Sequence, residues 1–210
     1  MTIWDKIYRH YKKSGEEYAT LRQGLIPEFE EFIGKYTFKK KNVFDMGCGN
    51  GKYLAFLKNI GFTTSGIDSS PTAITLTSEA LSSSSSLAVA DMYNYDYPDQ
   101  LYDLVISIAA IHHGRKAEVR RAVEGVYKSL ITGGRFFITL PDNTGSTHWT
   151  MMADHEEIEP GVRLPLNGPE KGLPHSSFTE EEIRGMFSQF SSLEMKLLED
   201  RGRWIVSGSK

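Results

Sequence analysis

The sequence predicts an α/β fold on a doubly wound, seven-stranded sheet, mostly parallel with an antiparallel terminal strand. Three observations lead there. Between residues 42 and 140, five short apolar segments alternate with segments of helical periodicity, the pattern of a parallel sheet with helices on both faces. Gly47, Gly49 and Gly51 directly follow the first apolar segment and precede a helical one. Near the other end, Leu193 to Leu198 and Arg203 to Ser207 are separated only by Glu199 to Gly202. That link is too short for a parallel crossover, so the two strands pair antiparallel.

The elements follow in order. Ile3, Trp4, Ile7, Tyr8 and Tyr11 share one helical face, and Pro27 to Tyr36 is a second helix with proline in its first turn. Residues 1–37 thus form a helical cover. Lys39 to Lys41 lead into the strand Asn42 to Met46, followed by a helix over Asn50 to Asn59 and a strand over Phe62 to Ile67. Pro71 to Leu81 is a helix capped by Ser69 or Ser70. Ser82 to Ser86 reads as a flexible connection, Leu87 to Ala90 as a short strand, and Tyr102 to Ala109 as a strand buried on both faces. Val119, Ala122, Val123, Val126, Tyr127 and Leu130 recur at helical spacing, and Gly133-Gly134 ends that helix before the strand Arg135 to Leu140. Ile183, Met186, Phe187 and Phe190 mark a last helix. Residues 141–177 are rich in Gly, Pro, His and Met without clear periodicity, and read as a substrate-side insertion within one domain spanning 1–210.

Composition narrows the class. The 210 residues are 40% hydrophobic and 24% charged, ordinary for a globular chain. The net charge of -3 provides no overall attraction to nucleic acid or to an anionic membrane. Cys48 is the single cysteine, which excludes an internal disulfide and suits a reducing compartment. No apolar run approaches the roughly 18 residues of a membrane span, and Met1 to Lys13 lacks the apolar stretch of a signal peptide. The expectation is a cytoplasmic protein.

The glycine loop indicates a nucleotide-type ligand. Glycines there let the backbone turn sharply and let a ligand approach closely. Asp68, 17 residues past Gly51 at the end of the next strand, is placed to accept hydrogen bonds from ribose hydroxyls. A phosphate-binding P-loop fits poorly, because Met46 stands where its first glycine belongs and Tyr53 replaces the required Ser or Thr. A dinucleotide loop fits better, but the spacing is Gly-x-Gly-x-Gly and Asp45 is awkward beside a pyrophosphate. An acid there suits a ligand with positive charge.

Val43 to Gly51, Gly66-Ile67-Asp68, Ala90-Asp91-Met92, Tyr102 to Val105 and Leu130 to Gly134 together resemble the class I S-adenosylmethionine-dependent methyltransferase family, in that family's order. The resemblance covers roughly Asn42 to Ser207 and implies a Rossmann-like sheet. It implies S-adenosylmethionine as methyl donor and S-adenosylhomocysteine as product. By position it puts Asp45 near the methionine amino group, Gly47, Cys48, Gly49 and Gly51 along the cofactor, and Asp68 with Ser69 at the ribose. Asp91 and Met92 fall at the adenine and Ser107 near the methionine moiety. Tyr18 is a further candidate contact. The 169–183 stretch is similar to a loop of small, mostly uncharacterised bacterial and archaeal members.

The acceptor is less constrained. The fourth strand runs into Ser107-Ile108-Ala109-Ala110-Ile111-His112-His113-Gly114, without the Asn/Asp-Pro-Pro-aromatic motif of enzymes that methylate base amines, so DNA is not expected. His112 or His113 is a candidate general base, because imidazole titrates near neutrality. Alternatively the pair orders its own loop. A two-His metal site is disfavoured, since adjacent side chains rarely converge and no third ligand is evident; no metal is expected. His148 and His175, with Trp149, Met151, Met152 and His155, give the insertion the mixed polarity of a small-molecule pocket. Thr179 and Glu182 also match a capping box. The leading expectation is a small-molecule acceptor. The Ala-x-Ile-His-His segment nevertheless resembles that of tRNA wobble-uridine carboxymethyl methyltransferases, so RNA is the alternative. Negative charge and a Lys39–Lys41 run at the far end of the sheet count against it. A non-catalytic S-adenosylmethionine sensor and an NAD-dependent oxidoreductase are more distant readings.

Overall fold

In the computed structural model, residues 1–15, 24–82, 85–143 and 154–210 are described. Strands β1 (Asn42–Met46), β2 (Thr63–Asp68), β3 (Ser86–Val89), β4 (Tyr102–Ser107) and β5 (Leu130–Pro141) alternate with helices α3 (Lys52–Asn59), α4 (Pro71–Leu81) and α5 (Lys116–Ser129). Helices α1 (Ile3–Ser14) and α2 (Pro27–Lys35) precede them. Strands β6 (His155–Glu159), β7 (Val162–Pro165) and β8 (His175–Ser176), helix α6 (Glu180–Met186), then β9 (Ser191–Leu198) and β10 (Arg203–Ser209) follow. The main sheet runs β3-β2-β1-β4-β5-β10-β9. Strands β1 to β5 pair in parallel, and β10 pairs antiparallel with both β5 and β9. The predicted seven-stranded fold is the one observed.

The double winding follows from period-two burial. Phe44, Met46, Val105, Phe136, Ile138 and Leu140 face a core completed by Val119, Val123 and Val126 of α5 and Ile183 of α6. Val43, Leu104, Ile106 and Phe137 face the opposite core with Phe29 and Phe32 of α2 and Leu54 and Leu57 of α3. Successive residues of a strand point to opposite faces, so a strand covered on both sides is apolar throughout. Every residue of β4 is buried accordingly.

Local signals explain most boundaries. Ser70, not Ser69, caps α4 by accepting the Ala73 amide. Thr179 and Glu182 form the capping box of α6, their side chains and backbone amides bonded reciprocally at 3.2 and 2.9 Å. Gly133-Gly134 does not end α5. That helix stops at Ser129, and the glycines lie inside β5, at a register irregularity where a Cβ on Gly134 would press on the Ile131 and Tyr102 carbonyls.

The 141–177 insertion holds more order than its periodicity suggests. β6, β7 and β8 form a separate three-stranded antiparallel sheet, with Pro160-Gly161 as the tight turn between β6 and β7. His-Glu-Glu-Ile-Glu is too polar and Val-Arg-Leu-Pro too short to show an alternating pattern. The Pro-Gly pair was the available signal. Trp149, Met151 and Met152 lie outside the described residues.

Helix α5 supplies a stability test. A Cβ on Gly125 would lie 2.2 Å from the Tyr97 ring, whereas one on Gly34 in α2 meets nothing within 4 Å. Gly125→Ala should destabilise by about 1–3 kcal/mol through overpacking, and Gly34→Ala should be neutral or stabilising by up to about 1 kcal/mol. Urea unfolding of the two variants reads the contrast.

Candidate active site

A cavity of about 370 Å³ opens at the C-terminal ends of β1 to β4, where ligands of open α/β sheets bind. Its wall comes from four consecutive strand ends: Gly47 to Asn50, Asp68-Ser69, Ala90 to Tyr93, and Ile108 to Ala110 with His113-Gly114. Thr2, Ile3, Trp4 and Tyr8 of the α1 end close one side, and Leu173-Pro174 of the insertion another.

The glycine loop is shaped by contact on both sides. The Gly47 and Cys48 amides both donate to the Ile67 carbonyl, at 2.8 and 3.0 Å, holding the loop against the end of β2. Gly47 has φ +82°, and a Cβ on it would meet the Ala110 methyl at 2.4 Å. A Cβ on Gly49 would lie 2.5 Å from the Tyr8 hydroxyl. Only glycine tolerates such backbone and such proximity together.

Asp68 ties this loop to its surroundings. Its carboxylate accepts the Gly49 amide at 3.0 Å and the Ser70 amide at 2.9 Å. Ser70 in turn donates to Asp5 of α1 at 3.0 Å, and Asp5 also accepts the Thr72 amide and hydroxyl and pairs with Arg9. Burial alone would raise Asp5, but the bonds from Thr72 and Ser70 and the Arg9 charge hold its carboxyl below the usual range.

The electrostatics are those of a cavity prepared for a cation. Asp45 faces it from the end of β1, pushed up to about 8 by burial and then by the Asp68 charge. Burial also raises Asp68, to about 6, against the backbone bonds that favour its charge. Burial, then Asp68, Cys48 and Asp45, push the Tyr8 phenol well above its ordinary value. A bound positive charge would relieve all of these. Two facing acids, a loop that excludes a Cβ, and a Tyr8 lid fit a ligand carrying ammonium and sulfonium groups.

The sequence-selected residues divide into three groups. Asp45, Gly47, Cys48, Gly49, Asp68, Ser69, Asp91, Met92 and His113 line the cavity. Asp91 also accepts the Tyr93 amide and the Asn94 side chain, ordering the turn after β3. Gly51, Ser107, His112 and His175 are not on the cavity wall. Gly51 packs against Thr77 of α4, and Ser107 is fully buried, donating to the Met46 carbonyl at 2.8 Å to tie β4 to β1. Tyr18 and His148 lie outside the described residues. Trp4, Tyr8, Tyr93 and Leu173-Pro174 line the wall without having been selected for it. Their signal was topological, since the α1 aromatics look like ordinary core until the helix is seen across the strand ends.

His113 and His112 differ in role. His113 is on the wall, with Trp4 edge-on at 4.7 Å. Its Nδ1 lies 2.9 Å from the Ala110 carbonyl, which only accepts, so Nδ1 carries the proton. Burial and then the neighbouring His175 lower it to about 3, against the Glu170 charge. A histidine so weakly basic is a poor proton acceptor at neutral pH. His112, 1% exposed, stands behind it.

Residues 44–138 match a family described as a methyltransferase domain. Over those residues the chain is similar to methyltransferase domains. Its cofactor is S-adenosylmethionine. It is 28% identical over 170 residues to the tRNA (carboxymethyluridine(34)-5-O)-methyltransferase of Arabidopsis thaliana, covering 78% of this chain and 41% of that protein. It is 36% identical over 133 residues to the enzyme of the same name from Saccharomyces cerevisiae, covering 63% of this chain and 46% of that one. The chain therefore spans less than half the length of these curated relatives. An S-adenosylmethionine-dependent methyltransferase from Methanosarcina mazei shares the fold, with a TM-score of 0.70 and 22% identity over 89% of this chain and 99% of that one.

These relatives bear on two expectations. The two sequence relatives are eukaryotic tRNA enzymes, whereas an archaeal protein shares the fold. The expectation of a small-molecule acceptor with RNA disfavoured is overturned, because the relatives act on tRNA. Net charge misled because it averages over the surface, while association with RNA depends on local fields. Helix α1, whose first turns line the cavity, carries Lys6, Arg9, Lys12 and Lys13. Among the described residues no helix is long and apolar enough to cross a membrane.

The raised Asp45 gives a measurable signature in the ligand-free protein, where Asp68, Cys48 and Tyr8 are its titrating neighbours. An unfolded aspartate titrates near about 3.9, so between about 4 and 8 the folded chain holds the extra proton and loses stability as pH rises. Asp45→Asn removes this term. Its Tm should exceed that of the parent by a margin that widens from pH about 4 and levels above about 8. A margin independent of pH would contradict the buried-acid assignment.

Proposed function

We propose that this chain methylates RNA, transferring a methyl group to the carboxylate of a carboxymethyl-substituted uridine in tRNA. The observation that carries the reading is the likeness to two enzymes whose names state that reaction. The Ala109 to His113 segment, the aromatic mouth and the basic α1 support it.

In this reading Asp45 holds the ammonium group of the donor and gives up its proton when the cation arrives. Asp68 keeps lone pairs for ribose hydroxyls beyond those facing Gly49 and Ser70. The Gly47 to Gly49 backbone lines the donor, and Asp91 and Met92 border its adenine. The bound donor supplies a sulfonium-activated methyl group open to in-line displacement. The chain's part is then to align the acceptor and exclude water. A carboxylate acceptor is already ionised at neutral pH, since carboxyl groups titrate near about 4. No residue has to take a proton from it, which agrees with the weak basicity of His113. Trp4 offers aromatic surface at the mouth for an unstacked base. Lys13 borders a recess on the same helix beside Arg9, paired with Asp5, and Lys12, paired with Glu79, and offers positive charge to phosphates.

Three measurements test the proposal. Incubation with labelled donor and tRNA carrying carboxymethyluridine should place label in RNA as an alkali-labile ester, and tRNA without that group should remain unlabelled. Label confined to a metabolite fraction would reject the RNA reading. Asp68→Ala should weaken S-adenosylhomocysteine binding by about 1.5–3 kcal/mol, roughly 10- to 150-fold, by calorimetry. Lys13→Glu should weaken tRNA binding and flatten its salt dependence while leaving S-adenosylhomocysteine affinity unchanged.

A further inference from the structure

His175 is 62 residues from His113 in sequence and in contact with it in space. The small sheet is stitched onto the loop after β4: the Ser176 amide donates to the His112 carbonyl at 2.9 Å and the Ser176 hydroxyl to the Gly114 carbonyl at 2.6 Å. This registers His175 against the histidine pair, with its ring centroid 4.8 Å from that of His113 and 5.9 Å from that of His112. The pair itself does not splay. The His113 amide closes a turn onto the Ala110 carbonyl, and the two rings lie 3.9 Å apart. One nitrogen from each of the three rings falls within 4.8 Å of the others, and all three residues are buried.

We propose that His112, His113 and His175 bind a divalent transition-metal ion of the zinc class. Imidazole nitrogen is a favoured ligand of such ions. Bonds of about 2.0–2.1 Å in a tetrahedral arrangement put the ligand nitrogens about 3.4 Å apart, so modest side-chain rotations close the 4.8 Å cluster onto an ion. His113 coordinates through Nε2, because its Nδ1–H is held by the Ala110 carbonyl. A backbone carbonyl fixing the far side of the ring is a usual support of a metal-bound histidine. Glu170, whose carboxylate lies 2.9 Å from His175 Nε2, supplies negative charge beside the cation. Three neutral imidazoles leave a fourth coordination position, and His113 is the one ligand on the cavity wall. The ion clamps the insertion to the end of β4 and stands beside the site. In sequence alone a metal is disfavoured, because adjacent histidines normally diverge and no third ligand stands near them. The turn at Ala110 to His113 and the docking of β8 remove both objections.

The test requires neither the methyl donor nor RNA. Tag-free protein is stripped with a chelator, equilibrated with Zn²⁺, passed through gel filtration and assayed for metal, with Co²⁺ used in parallel for its visible absorption. The expected result is about one ion per chain, a Co²⁺ spectrum of low-coordinate type, and a rise in Tm on adding Zn²⁺. His175→Gln and His113→Gln should each abolish retention of the ion, while His10→Gln, on exposed α1, should retain it. Circular dichroism and a cooperative thermal unfolding transition establish that the cluster variants are folded. If either fails to fold, His112→Gln and the Co²⁺ spectrum of the parent protein decide. A parent that retains no ion overturns the site, as does ion content unchanged in the folded cluster variants.

Discussion

The shape of the cavity depends on one buried carboxylate. Asp68 accepts the Gly49 amide with one oxygen and the Ser70 amide with the other, joining the loop after β1 to the start of α4. Ser70 passes the connection to Asp5, and so α1 is drawn across the opening. The Ile67 carbonyl holds the Gly47-Cys48 end of the loop against β2, and the Asp68 bonds fix its Gly49 end, against which Tyr8 rests. The same acid is also one of the cavity's charged walls. Its structural bonds lower the cost of keeping a carboxylate there, and its burial keeps that cost from vanishing.

Much of the fold was legible because local and global signals agree. Strand β4 is apolar throughout because it is covered on both faces, and Glu199 to Gly202 leaves no room for anything but an antiparallel return. The Thr179–Glu182 cap was visible in four letters. The insertion was not legible, because β6 is largely polar and β8 has two residues. Pairing partners outside the segment, the carbonyls of His112 and Gly114, hold it in place. No window of sequence contains that information.

The site shows the same division. Asp45, Gly47, Gly49 and Asp68 stand at spacings set by the turn and by adjacent strands, so position along the chain predicts position in space. Ser107 and Gly51 obey the same spacing yet point elsewhere, one into the β1–β4 seam and the other at Thr77. Spacing places a Cα; it does not aim a side chain. His175 fails in the opposite way, since nothing near it in sequence reveals that β8 lands on the histidine pair. Net charge was the least informative quantity, because the cavity's own needs and the basic face of α1 are both lost in the average.

The position of β10 affects how the molecule can be made. Strand β9 touches the main sheet only through β10, and β10 is inserted between β5 and β9. Residues 191–198 therefore leave the ribosome before the strand that will receive them exists. Until Arg203 to Ser209 emerge, β5 presents an open edge with unpaired amides and carbonyls, a template for wrong partners. The half of the sheet that binds the donor can assemble early. The other half must wait, and its lag sets the interval during which a nascent chain is most exposed to mispairing.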